Sequence, residues 1–120
     1  MDILKYKIKQ LLSANHSENV KVGGFDAIRE LMEYQNSLMN ECERQAREQK
    51  SLLGRIIKFS MADSFAYYII TKVNKKTVRL EWINYCDGWM DSRIGEGGLI
   101  DIEYVENEVR HQDRLHQLFS

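Results

Sequence analysis

Gly54-Arg55-Ile56-Ile57-Lys58-Phe59-Ser60-Met61 marks the point where the apolar pattern of this chain changes period. Before Gly54 apolar residues recur every three or four positions; after it Ile57, Phe59 and Met61 alternate with polar neighbours, as on one face of a strand. Residues 66–73 are β-branched and aromatic, and residues 77–83 set Val78, Leu80 and Trp82 against Arg79 and Glu81. Three consecutive strands are therefore expected. A two-residue turn at Lys75-Lys76 pairs Val73 with Val78, Thr71 with Leu80 and Ile69 with Trp82. That register buries Ile57, Ile69, Val73, Val78, Leu80 and Trp82, and leaves Tyr68, Ile70 and Lys72 on the other face with Arg79 and Glu81.

Upstream, residues 2–14 place Leu4, Ile8 and Leu11 on one helical stripe. Residues 15–24 end in Gly23-Gly24, lack periodicity and read as a loop. From 26 to 50, Ile28, Leu31, Met32, Leu38, Met39, Cys42 and Ala46 define a long helix without an internal Gly or Pro. Such a helix extends roughly 38 Å and outgrows a small domain, so its far end should protrude or meet a partner, a second copy of the chain included. The stretch 40–50 offers only Cys42 and Ala46 to a core and reads as solvated, with Glu43 and Arg47 forming a surface pair.

Downstream, Asp87-Gly88-Trp89 and Gly95-Glu96-Gly97-Gly98 bracket residues 89–94, which read as a fourth strand or loop edge. Residues 100–109 suggest a helical turn or two, 109–111 a short returning strand, and Asp113 the cap of a short last helix carrying Leu115, Leu118 and Phe119. The expectation is an α+β chain: a small SH3-like β-barrel preceded by two helices and followed by a short C-terminal helix. Residues 1–53 form the helical pair and 54–120 the barrel with its last helix, in one compact unit. With 120 residues, 43% hydrophobic, and a net charge of −1, the chain is sized for one globular domain and is no polycation. Lys5, Lys7 and Lys9 interrupt the apolar start, which removes a signal-peptide core and points to the cytoplasm. No apolar run is long enough to span a membrane. In that compartment Cys42 and Cys86 read as small hydrophobes.

The string from Ile57 through Ala62-Asp63-Ser64-Phe65-Ala66-Tyr67-Tyr68 to Val73, followed by Val78-Arg79-Leu80-Glu81-Trp82-Ile83, Asp87-Gly88-Trp89-Met90-Asp91 and Gly95-Glu96-Gly97-Gly98, resembles a group of small bacterial and mobile-element proteins with an SH3-like barrel. The resemblance covers about the last sixty-five residues. It implies a fold and brings no activity, cofactor or catalytic residue. Ser64 stands where the group's pattern has glycine.

Charge is unevenly distributed, with +5 over residues 54–80 and −7 over residues 81–108. Two surfaces follow. The basic hairpin, through Lys72, Lys75, Lys76 and Arg79 with Tyr68 nearby, is suited to a phosphate backbone with rings stacking on bases. The acidic lobe, with Trp89 as an aromatic anchor between Asp87 and Asp91, suits a protein partner; Tyr68 joins that candidate set. No catalytic residue, metal ligand set or cofactor motif emerges: Gly-x-Ser-x-Gly, His-Glu-x-x-His, Cys-x-x-Cys and Walker loops are missing, and His16, His111, His116, Cys42 and Cys86 have no paired ligand spacing. The near-neutral total favours a non-enzymatic protein-binding regulator over a nucleic-acid binder. Given the resemblance, the partner expected is a host nucleic-acid enzyme such as a CRISPR nuclease, inhibited by a mobile element; direct nucleic-acid binding through the hairpin is the alternative.

Overall fold

A computed structural model describes residues 3–14, 19–60, 65–83 and 98–119. The order is α1 (Ile3–Ala14), α2 (Asn19–Glu48), β1 (Ile56–Ser60), β2 (Phe65–Val73), β3 (Thr77–Ile83), β4 (Gly98–Asp101) and α3 (Ile102–Phe119). The four strands make one antiparallel meander in sequence order, so β1 and β4 are its edges among the described residues. The α+β class and the succession of two helices, strands and a last helix agree with the sequence pattern. None of the described helices is long and apolar enough to cross a membrane.

Neighbouring strand residues point to opposite faces, and both faces of this sheet are buried. Ile56, Ile69 and Ile83 join Leu4, Ile8 and Leu11 of α1 and Leu38, Met39, Cys42 and Ala46 of α2 in one core. Ile57, Ile70, Val78 and Leu80 join Val105 and Val109 of α3 in the other. The sheet is thus a middle layer.

The hairpin register differs from the expected one because a β-bulge between Ile70 and Lys72 inserts Thr71 as an extra residue. Val73 does pair with Val78, but Ile70 faces Leu80, Ile69 faces Glu81 and Tyr68 faces Trp82. One inserted residue exchanges the faces of everything before it. Ile70 is consequently fully buried under α3, while Trp82 is only half-buried and Val73, near the hairpin tip, is 42% exposed.

Three other expectations are corrected. Helix α2 begins at Asn19 and continues through Gly23 and Gly24; a glycine costs a helix interior about 1 kcal/mol, which a 30-residue helix tolerates. Over 40–50 Cys42 and Ala46 are fully buried, as the pattern offers, and Asn40, Arg44, Glu48, Gln49 and Lys50 are exposed; the correction is that Glu43 and Arg47 turn toward Arg55 and Asp113 instead of forming a surface pair. After β4 there is no strand at 109–111 and no short last helix. Val105, Val109, Gln112 and Asp113 share one helical face toward the sheet, without Gly or Pro, and one 18-residue helix results. Its cap is Asp101, whose Oδ1 accepts the Glu103 N–H at 2.9 Å, rather than Asp113. The expected strand at 89–94 lies outside the described residues.

The chain leaves α2 through a Schellman turn: Ser51 N–H donates to Ala46 O at 2.9 Å and Lys50 N–H to Arg47 O at 3.1 Å, with Lys50 at φ 53°. Gly54 follows at φ 89°, and a Cβ there would lie 2.7 Å from Leu4 Cδ1. Its N–H donates to Ile70 O, which sets β2 beside the start of β1.

Candidate functional site

The most concentrated charge in the interior is at the start of β1. Arg55, 2% exposed, sends its guanidinium between two helices: Nη2 donates to Asp113 Oδ1 of α3 at 2.6 Å, and Nε lies 3.0 Å from Glu43 Oε2 of α2. That second contact is close but off-line for a hydrogen bond, so it is mainly coulombic. Arg47 completes the cluster at 3.4 Å from Asp113 and 3.6 Å from Glu43. Glu43 Oε1 also accepts the Ile56 N–H, and Gln112 Nε2 donates to Ile56 O at 3.3 Å, so side chains of both helices occupy this part of the edge of β1.

Burial raises the Glu43 carboxyl above its usual range, only partly offset by the Arg55 charge and the Ile56 N–H. Burial also pulls the Asp113 pKa upward, but the hydrogen bond and charge of Arg55, followed by those of Arg47, outweigh it and hold Asp113 below the usual range. Each carboxylate already answers to an arginine. The cluster is a clamp between layers, and it offers no free acid or base. Cys42 is equally unavailable for chemistry, since burial pushes its thiol up to about 11 and keeps it protonated.

The surface carries the functional candidates. Lys72, Lys75, Lys76 and Arg79 are all exposed, and none has an ion-pair partner among the described residues. Arg79 lies between Val78 and Leu80, which face α3, so its side chain points to the α1 side; Lys72 is its cross-strand partner. Tyr68 lies on the opposite face. It meets Phe59 edge-on at 5.5 Å, and Phe59 in turn lies parallel to Tyr104 of α3 at 6.3 Å. Tyr68 is half-buried, and burial raises its hydroxyl pKa. The structure therefore brings the four hairpin cations together and separates Lys72 and Arg79 from Tyr68. Trp89, Asp87 and Asp91 lie outside the described residues.

Of the cations on the α1 side, Lys5, Lys9 and Lys72 line a furrow, and Arg79 does not. Two adjoining hollows of about 460 and 470 Å³ lie among α1, the connection 51–53 and the β2–β3 hairpin, with Lys5, Leu53 and Thr71 common to both. Ile8 and Leu12 supply apolar wall, and Lys9 stands on the rim. Lys72 and Val73 close the far end. Lys5, Lys9 and Thr71 are site residues that the sequence reading passed over. The spacing of four between Lys5 and Lys9 was visible, but nothing local says that α1 lies beside the hairpin.

No family model, no curated protein and no solved structure matches this chain.

Proposed function

We propose that this chain is a non-enzymatic protein-binding regulator. The observation that carries the reading is the segregation of its surface: lysines frame an apolar furrow on the α1 side, while Tyr68, Phe59 and Tyr104 pack together on the α3 side. A single-strand nucleic-acid platform needs cations and stacking rings on one surface. An apolar furrow suits side chains of a protein. Cys42 is buried and Glu43 and Asp113 are held by arginines, so these three groups serve the fold.

In this proposal the SH3-like barrel is the finer description of the strand region, and the four-strand meander is consistent with part of such a barrel. The resemblance to mobile-element proteins directs the reading to a host nucleic-acid enzyme such as a CRISPR nuclease, with Trp89, Asp87 and Asp91 as a second contact. The test is capture by the tagged full chain from bacterial lysate with and without nuclease. Nuclease-resistant capture of a protein is expected; capture that disappears with nuclease overturns the reading.

The four exposed hairpin cations, without an ion-pair partner among the described residues, favour a second reading, direct nucleic-acid binding. Lys75→Glu with Lys76→Glu and Arg79→Glu would then abolish a salt-sensitive shift of duplex DNA, each lost phosphate contact removing about 0.9 from the logarithmic salt slope.

A further inference from the structure

We propose that the furrow between α1 and the β2–β3 hairpin docks a short acidic segment of a protein partner, in which apolar side chains alternate with spaced carboxylates. This rests on the protein-binding reading above and supplies its surface and the chemistry of its partner.

Three observations select that occupant. The first is shape. The two hollows share Lys5, Leu53 and Thr71 in their walls and are both open to solvent, so they adjoin as a trough with an apolar wall rather than forming one enclosed cavity. Each has the volume of a small-ligand site, and together they accommodate several side chains in a row.

The second is the placement of charge. Lys5 and Lys9 lie one turn apart along α1, and Lys72 stands on the hairpin side. Cations spread along a trough match carboxylates spread along a chain; the single head group of an acyl anion would satisfy one of them. A phosphate backbone, charged at every step, would meet Glu81, the carboxylate in the same lining. A peptide can place a neutral residue there.

The third is Thr71. Its Oγ1 is shielded from water and has no hydrogen-bond partner among the described residues. The bulge that displaces Thr71 from the regular ladder sets it in the overlap of the two hollows. In this proposal the peptide draws the hydroxyl to the wall by a change of χ1 rotamer, so that it donates to a peptide carbonyl or accepts from a peptide N–H. A hydrocarbon tail has neither group to offer.

The test pans a random dodecapeptide display library against the immobilised full chain and then measures a labelled selected peptide by fluorescence anisotropy. Enrichment of sequences combining Asp or Glu with Leu, Ile or Phe is expected. The combined Lys5→Glu, Lys9→Glu, Lys72→Glu chain should bind that peptide about tenfold or more weakly while keeping a cooperative thermal transition. Thr71→Val should weaken the peptide severalfold without lowering stability, whereas Lys75→Glu with Lys76→Glu should leave it within about twofold. No enrichment, enrichment without acidic residues, undiminished binding to the triple variant, or displacement of the peptide by dodecanoate at micromolar concentration would each overturn the proposal. If the triple variant still captures a nuclease-resistant protein, the trough is not the docking surface and the protein-binding reading stands. If capture is nuclease-sensitive, both fall.

Discussion

On the α1–α2 side of the sheet the core is chiefly helix against helix: of its ten buried residues among those described, Ile56, Ile69 and Ile83 come from strands. On the α3 side the proportion reverses, with four of six from strands and a half-buried rim that includes Phe59 and Tyr68. A helix that packs alone on a sheet gives its apolar stripe to the strands; two helices that pack on each other first leave less for the sheet. The α3 face is thus closed by rings over β1 and β2, while part of the hairpin on the α1 face is left open as a cationic furrow. Where the helices satisfy one another, surface remains for a partner.

The strongest way to break this comparison is to remove the side chain that belongs to both helical layers. Arg55→Ala deprives Glu43 and Asp113 of the buried cation between them and leaves them the more exposed Arg47, and a loss of about 3 kcal/mol in urea unfolding is expected, as when one partner of a buried ion pair is removed. The same cluster sets an acid dependence. Asp113 has its folded pKa below 3.8, so the stability it contributes is present above its unfolded value and is lost as pH falls through the folded one. Glu43 has the opposite sign: its folded pKa is above 4.5, and its burial penalty is relieved as it protonates on the way down. Asp113→Asn should flatten the steep acid limb, measured as melting temperature against pH, while Glu43→Gln should leave that limb in place.

A smaller effect, confined to the α1 face, is expected at Gly54. Gly54→Ala introduces a Cβ into Leu4 and holds an L-residue at φ 89°. It should cost about 2 kcal/mol, and hydrogen exchange should show α1 loosening before α3. Thr71→Val tests the open furrow from the other direction. By removing a buried hydroxyl without a partner it should raise stability by about 1 kcal/mol, a gain that a satisfied hydroxyl would not give. The smallest change expected is Lys50→Gly, which relieves a left-handed C′ position and should raise the melting temperature by an amount equivalent to about 0.5–1 kcal/mol, with neither face altered.

Legibility in the sequence followed the range of the interaction. The stripe Leu4, Ile8, Leu11 and the alternation through Val78 and Leu80 are local patterns, and both segments are found as the helix and strand they suggest. The hairpin turn was equally local, and Val73 does face Val78. The bulge at Thr71 was not legible, because β-branched residues on both sides of it satisfy either register and only packing under α3 distinguishes them. Glu43 and Arg47 illustrate the same limit: spaced by four, they look like a surface pair, yet they converge on Arg55 and Asp113 from other elements.

The sequence by itself determined that residues 3–14 and most of α2 are helical and that β1, β2 and β3 are extended, since period and β-branching act within a few residues of backbone; it did not determine the start of α2 or the length of α3. It also determined that Lys72, Lys75, Lys76 and Arg79 would cluster, because one short turn holds them together. Only the tertiary structure decided that the sheet is buried on two faces, that Tyr68 and Lys72 separate, and that Lys5 and Lys9 come to line a furrow with Thr71. Those outcomes depend on which layer each helix joins. That choice is made by the burial of apolar stripes and one shared arginine across tens of residues of chain, and no local pattern contains it.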